Sequence, residues 1–150
     1  MQIILELAPF ECVPRFPSKE ELGCKVYAYC LMTNHIHLLV EPIDKAENLA
    51  LLACRQTRYV NKLEGRCGTL WEGRYRSSPV DRNEYLLACC RYVELNPVRA
   101  GIAVTHENYG WSSFRQRAGL APMEWLDADP CYIGLGDNNR SRALRYREWV

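Results

Sequence analysis

The chain has 150 residues, 48% hydrophobic and 25% charged, a length that predicts one domain and a composition that excludes a disordered or fibrous protein. Nineteen Lys plus Arg against eighteen Asp plus Glu leave a net charge of +1, but residues 55–117 hold eleven cations and six carboxylates, +5, and the remainder is −4. Ten of those eleven cations are Arg, whose planar fork suits phosphate, so the neutral sum does not exclude a polyanion partner.

Gln2 to Leu7 reads as a strand, and Pro9, Pro14 and Pro17 break any regular element behind it. Lys25 to Cys30 and His35 to Glu41 read as strands joined through Thr33 and Asn34. In the second, the period of two puts Ile36, Leu38 and Val40 on one face. His35, His37, Leu39 and Glu41 fall on the other, so the histidines are displayed rather than buried.

Asp44 to Glu64 reads as a helix with a stripe of Leu49, Leu52, Gln56, Tyr59 and Leu63, and with Arg55, Arg58 and Lys62 sharing another face. Gly65, Gly68 and Gly73 punctuate a loop region with Trp71, Arg74, Tyr75 and Arg76, and a short strand follows near Tyr75 to Val80. Asp81 and Glu84 make a capping-box-like start for the next helix. Pro97 sets its end at about Asn96. Leu86, Cys90 and Val93 form the packing stripe, while Tyr85, Cys89, Tyr92 and Asn96 line a different face. Beyond Gly101, the aromatic residues Tyr109, Trp111 and Phe114 suggest a C-terminal appendage, and Arg140, Arg142, Arg145 and Arg147 make the end of the chain basic.

The eight cysteines include no C-x-x-C pair, which argues against a zinc knuckle or ribbon. No secretory leader is recognisable at the N-terminus, and no apolar run approaches the roughly 18–20 residues of a membrane span. The expectation is a cytoplasmic protein with no membrane partner, whose reduced thiols mostly serve as small buried apolar groups.

Three constellations carry chemistry. His35-Ile36-His37 points two imidazoles the same way on a strand, at a separation one divalent ion can bridge. A hydrogen-bonded surface pair is the commoner outcome for such a spacing. Tyr92 with Asn96 one turn on offers a phenol and an amide oxygen on one face, although a tyrosine on a helix stripe is more often core. Arg74-Tyr75-Arg76 with Trp71 interleaves cations and rings, a pattern suited to single-stranded nucleic acid or to a loop anchored by its aromatics.

The run Tyr29-Cys30-Leu31-Met32-Thr33-Asn34-His35-Ile36-His37-Leu38-Leu39 resembles the histidine-hydrophobic-histidine motif of the IS200-like tyrosine transposases. More specifically it resembles the branch associated with repetitive extragenic palindromes. Leu70-Trp71-Glu72-Gly73-Arg74-Tyr75, Arg91-Tyr92-Val93-Glu94-Leu95-Asn96-Pro97-Val98-Arg99-Ala100-Gly101 and Tyr109-Gly110-Trp111-Ser112-Ser113-Phe114 are similar to the same branch in order and spacing. The likeness spans about Gly23 to Leu126.

The resemblance implies an α+β, ferredoxin-like fold: an antiparallel sheet with helices on one face. It divides the chain into an atypical or truncated N-terminal segment (1–22), with strand and helix incomplete, a transposase domain (23–126) and a basic C-terminal tail (127–150). The implied activity is metal-dependent nicking of single-stranded DNA and strand transfer through a 5′-phosphotyrosine, as in DNA transposition. Tyr92 would be the nucleophile, His35, His37 and Asn96 the ligands of Mg²⁺ or Mn²⁺, and Arg55, Arg58, Arg74 and Arg76 the DNA-binding residues. The partner would be single-stranded or hairpin DNA, and both a monomer and a homodimer stay open. Two other readings remain: a catalytically degenerate hairpin-binding module, and a metal-dependent phosphodiesterase with water as nucleophile.

Overall fold

The computed structural model describes residues 2–6, 23–43, 47–71, 76–80 and 85–150. Four antiparallel strands form one sheet: β1 (Gln2–Glu6), β2 (Cys24–Leu31), β3 (His35–Pro42) and β4 (Arg76–Ser78), in the spatial order β2-β3-β1-β4. This is the strand order of a ferredoxin-like sheet. The strand expected to be incomplete is thus in place: β1 lies inside the sheet, with Gln2–Glu6 paired to β3 and Gln2–Ile4 paired to β4. Its apolar, β-branched sequence suits a position with ladders on both sides. The proline-containing stretch behind it lies outside the described residues.

Both faces of the sheet are covered, where helices on one face were expected. Helix α1 (Glu47–Glu64) sends Val60 into a core with Val26, Ile36, Leu38, Val40, Leu70 and Trp71. Helix α2 (Leu86–Glu94) closes the opposite face, packing Leu86, Cys90 and Val93 against Ala28, Cys30 and Leu39. A bulge between Val26 and Ala28 lets β2 serve both cores. Even positions Cys24 and Val26 face the first core, and after the bulge Ala28 and Cys30 face the second.

The α1 stripe differs from expectation. The inward residues are Ala53, Gln56 and Val60, whereas Tyr59 and Leu63 are exposed; the side chains of Leu49 and Leu52 lie outside the described set. Trp71 fixes this rotation by donating its indole N–H to the Ala53 carbonyl at 2.9 Å. The predicted α2 stripe is the observed one, and the capping residues Asp81 and Glu84 lie outside the described residues. Pro97 does not break the path. It occupies the first turn of a short helix α3 (Asn96–Arg99), where a missing N–H costs nothing. Gly101, at φ +69°, then ends the run.

The segment expected to be a basic tail is part of the core. Helices α4 (Phe114–Arg117), α5 (Pro130–Ile133) and α6 (Asn139–Trp149) converge on Phe114, Ala118, Tyr132 and Tyr146. The α6 start carries a reciprocal cap between Asn138 and Ser141. No helix among the described residues is long and apolar enough to cross a membrane.

Candidate active site

The period of β3 turns His35 and His37 toward the α2 side of the sheet, the side on which Leu39 packs. His35 Nδ1 donates to Asn34 Oδ1 at 2.7 Å, so its Nε2 presents a lone pair. That atom lies 2.9 Å from His37 Nε2. Contrary to the expected display, His37 is 4% exposed. Burial, and secondarily the neighbouring His35, push its pKa down to about 4, which keeps the imidazole neutral. Its Nδ1 is buried and has no hydrogen-bond partner among the described residues.

This pair fits a divalent cation. Octahedral ligands about 2.0–2.1 Å from Mg²⁺ lie about 2.9 Å apart at adjacent corners, the separation of the two Nε2 atoms. The same distance suits a hydrogen bond between the rings when no ion is bound. Among the described residues there is no group of three or more His, Cys, Asp or Glu that could hold a metal. Asn96 has its own occupation: Nδ2 donates to the carbonyls of Tyr92 at 2.8 Å and Val93 at 3.4 Å, tying the amide to the end of α2.

Tyr92, the last residue but two of α2, is 42% exposed. Its ring centre is 6.3 Å from that of His37, with the planes nearly perpendicular at 89°. The phenol and the histidine pair therefore meet within one chain. The Arg99 guanidinium lies over the Tyr92 ring, 5.0 Å from its centroid.

The expected DNA-binding arginines divide between surfaces. Arg55 and Arg58 are exposed on α1, which covers the sheet face away from Tyr92. Arg76 shares a cross-strand row with Ile4 and His37. It therefore projects from the same face as His37, two strand spacings or about 10 Å away. Arg74 lies outside the described residues.

Sequence reasoning missed what anchors the tyrosine helix. Glu94, two residues after Tyr92, is fully buried. Its carboxylate accepts from Ser113 Oγ at 2.6 Å, Arg117 Nε at 3.4 Å and Tyr146 Oη at 2.6 Å. Arg117, also fully buried, extends the cluster to Asp129 at 3.0 Å and to the Tyr27 carbonyl on β2. Its guanidinium lies against the Tyr132 and Tyr146 rings at 5.2 and 5.3 Å. Burial, then the Glu94 carboxylate, hold the Tyr146 phenol well above its ordinary pKa and so protonated. The available signal was Glu94 itself, a carboxylate one position from the apolar stripe of α2.

Comparison with known proteins gives a consistent family. The family model described as "Transposase IS200 like" matches residues 17–96. A Haemophilus influenzae protein named as a REP-associated tyrosine transposase is 23% identical over 133 residues, covering 75% of this chain and 76% of its own. A solved REP-associated tyrosine transposase bound to a REP hairpin superposes with a TM-score of 0.62 at 13% identity. That match covers 85% of this chain and 84% of the other, and it establishes likeness of fold.

Proposed function

The chain belongs to the IS200-like transposase family, and from that premise we propose that it nicks single-stranded DNA beside a hairpin and transfers the strand through Tyr92. The carrying observation is the meeting of an exposed phenol with the His35–His37 pair inside one chain, ring centres 6.3 Å apart for His37 and Tyr92. Tyr92 Oη attacks the scissile phosphorus. The Oη–P bond forms as the P–O3′ bond breaks, and the departing 3′-oxygen takes up the proton that the phenol gives up. The products are a 5′-phosphotyrosine and a free 3′-hydroxyl. The covalent link conserves the phosphodiester energy, so rejoining to another 3′-hydroxyl needs no nucleotide cofactor.

His35 and His37, with Asn96 as the candidate third protein ligand, would hold Mg²⁺ or Mn²⁺, which polarises the phosphate and offsets charge in the transition state. Asn34 keeps the His35 tautomer, and the burial of His37 keeps its ring neutral and fixed. Arg76, on the same face, is suited to guide the strand, while Arg55 and Arg58 on α1 suit duplex further along the hairpin. Hairpin recognition is supported by the hairpin bound to the structurally similar transposase.

The test is a library of labelled hairpin oligonucleotides with randomised single-stranded flanks, incubated with Mn²⁺ and resolved in SDS. The expected result is a denaturation-resistant adduct that disappears in Tyr92→Phe and in the presence of chelator. Cleavage without adduct that survives Tyr92→Phe would instead identify a phosphodiesterase with water as nucleophile. Salt-sensitive hairpin binding with neither adduct nor cleavage would identify a binding module.

A further inference from the structure

Arg99 takes no part in the reading above. It is the last residue of α3 and is exposed. Tyr92 and Arg99 are seven residues apart, two helical turns, and the path between them stays helical. Leu95 sits at φ −84°, ψ −6°, and Arg99 N–H donates to the Leu95 carbonyl at 3.0 Å. That continuity returns Arg99 to the face of Tyr92, with its guanidinium carbon 5.0 Å from the phenol ring centre.

Neighbouring cations are committed elsewhere. Arg91 lies over Trp149 at 5.1 Å, Arg115 donates to the Glu107 carbonyl at 2.9 Å, and Arg117 is buried between Glu94 and Asp129. Arg99 makes no ion pair with a carboxylate among the described residues. It is a full positive charge, uncompensated by any described acid, standing beside the phenol.

Resting on the assignment of Tyr92 as the nucleophile, we infer that Arg99 binds the scissile phosphate and neutralises its non-bridging oxygens during attack. Before reaction the phosphorus must stand about 3–3.5 Å from Oη, which brings those oxygens under the guanidinium as it swings off the ring. The fork of the arginine matches two phosphate oxygens at once. Charge builds on those oxygens as the Oη–P bond forms, and a donor already in position is most effective at that moment. Arg99 keeps its proton throughout; the phenol proton goes to the 3′-oxygen as before. This makes Arg99 a catalytic residue, distinct from the histidine pair.

The experiment uses the library member that the wild-type chain converts best, made in two forms: the ordinary phosphodiester and a methylphosphonate at the scissile position. On the phosphodiester, Arg99→Ala should slow single-turnover adduct formation by about 100-fold. A circular dichroism spectrum and Tm matching wild type report that the variant is folded. Arg99→Lys should recover part of the loss. On the methylphosphonate, which lacks the charged oxygen, the gap between wild type and Arg99→Ala should close nearly to nothing. A deficit of equal size on both substrates would reduce Arg99 to a structural support for the tyrosine ring and overturn the proposal. So would an undiminished rate on the phosphodiester. If Tyr92→Phe forms the adduct as fast as wild type, the parent reading of the nucleophile fails, a result separate from any behaviour of Arg99→Ala.

Discussion

The His37 ring occupies the interior with Nδ1 unpartnered among the described residues, and leaving a buried polar atom unsatisfied costs about 1–3 kcal/mol. The proposed role of His37 as a ligand held in one orientation would account for that cost. Orientation of the pair depends on Asn34, which grips His35 from the turn before β3. Asn34→Ala should therefore weaken Mn²⁺ binding by about 10–100-fold in a calorimetric titration, with little change in Tm because Asn34 is exposed. Unchanged affinity would show that the grip is incidental. The thiols give a second prediction at this scale. Burial pushes Cys24 up to about 11, helped by Asp127, and Cys30 up to about 12, helped by Glu94. Both are raised, so both remain protonated and unreactive at pH 8, since only the thiolate attacks. A disulfide reagent at that pH should label Cys54 and Cys67, which are exposed, well before either, and rapid labelling of Cys30 would contradict its burial.

At the scale of the element, α1 and α2 show which patterns the sequence carries. In α2 the apolar positions Leu86, Cys90 and Val93 repeat at helical spacing without a rival, and the observed core follows them. In α1, Tyr59 and Val60 are adjacent apolar residues that define competing stripes, and the larger one misleads. The Trp71 indole bond to Ala53 selects Val60, a tertiary contact invisible in the periodicity of the helix. Val60→Ala should then cost about 1.5–3 kcal/mol in denaturant unfolding, while Leu63→Ala should stay within about 0.5 kcal/mol. The reverse order would restore the stripe expected from sequence. The bulge in β2 was equally hidden: one extra residue exchanges the faces of every later side chain, with no turn residue to announce it. The histidine pair and Tyr92 were legible because each sits in a contiguous motif. Their meeting was not, because it depends on α2 covering the second face of the sheet.

For the molecule as a whole, the joint between the tyrosine helix and the C-terminal helices is the Glu94–Arg117–Asp129 cluster. One guanidinium serves two buried carboxylates, so removing it strands both. Arg117→Met should destabilise the fold by about 3–5 kcal/mol, lowering Tm by roughly 10 °C or more, with loss of the Tyr92 adduct at temperatures where the variant has melted. A variant that retains the wild-type Tm would show that the cluster is not what joins these segments. Residues 127–150 read as a basic tail because four arginines cluster within 140–147. Yet Arg142 and Arg145 are spent on the carbonyls of Ile133, Gly136 and Leu135 at the end of α5, and Tyr146 supplies the inward contact.

The nearness of Tyr92 to His37 in a single polypeptide has a consequence for mixtures of defective proteins. Were each reaction centre assembled from two copies, a population lacking the phenol and another lacking the imidazoles would repair one another on mixing. With both groups supplied by the same copy, a blend of Tyr92→Phe and His37→Ala chains should be as inert as either alone. A culture making both would gain no nicking activity from the pairing, and any rescue would reveal an exchange of the α2 helix between copies.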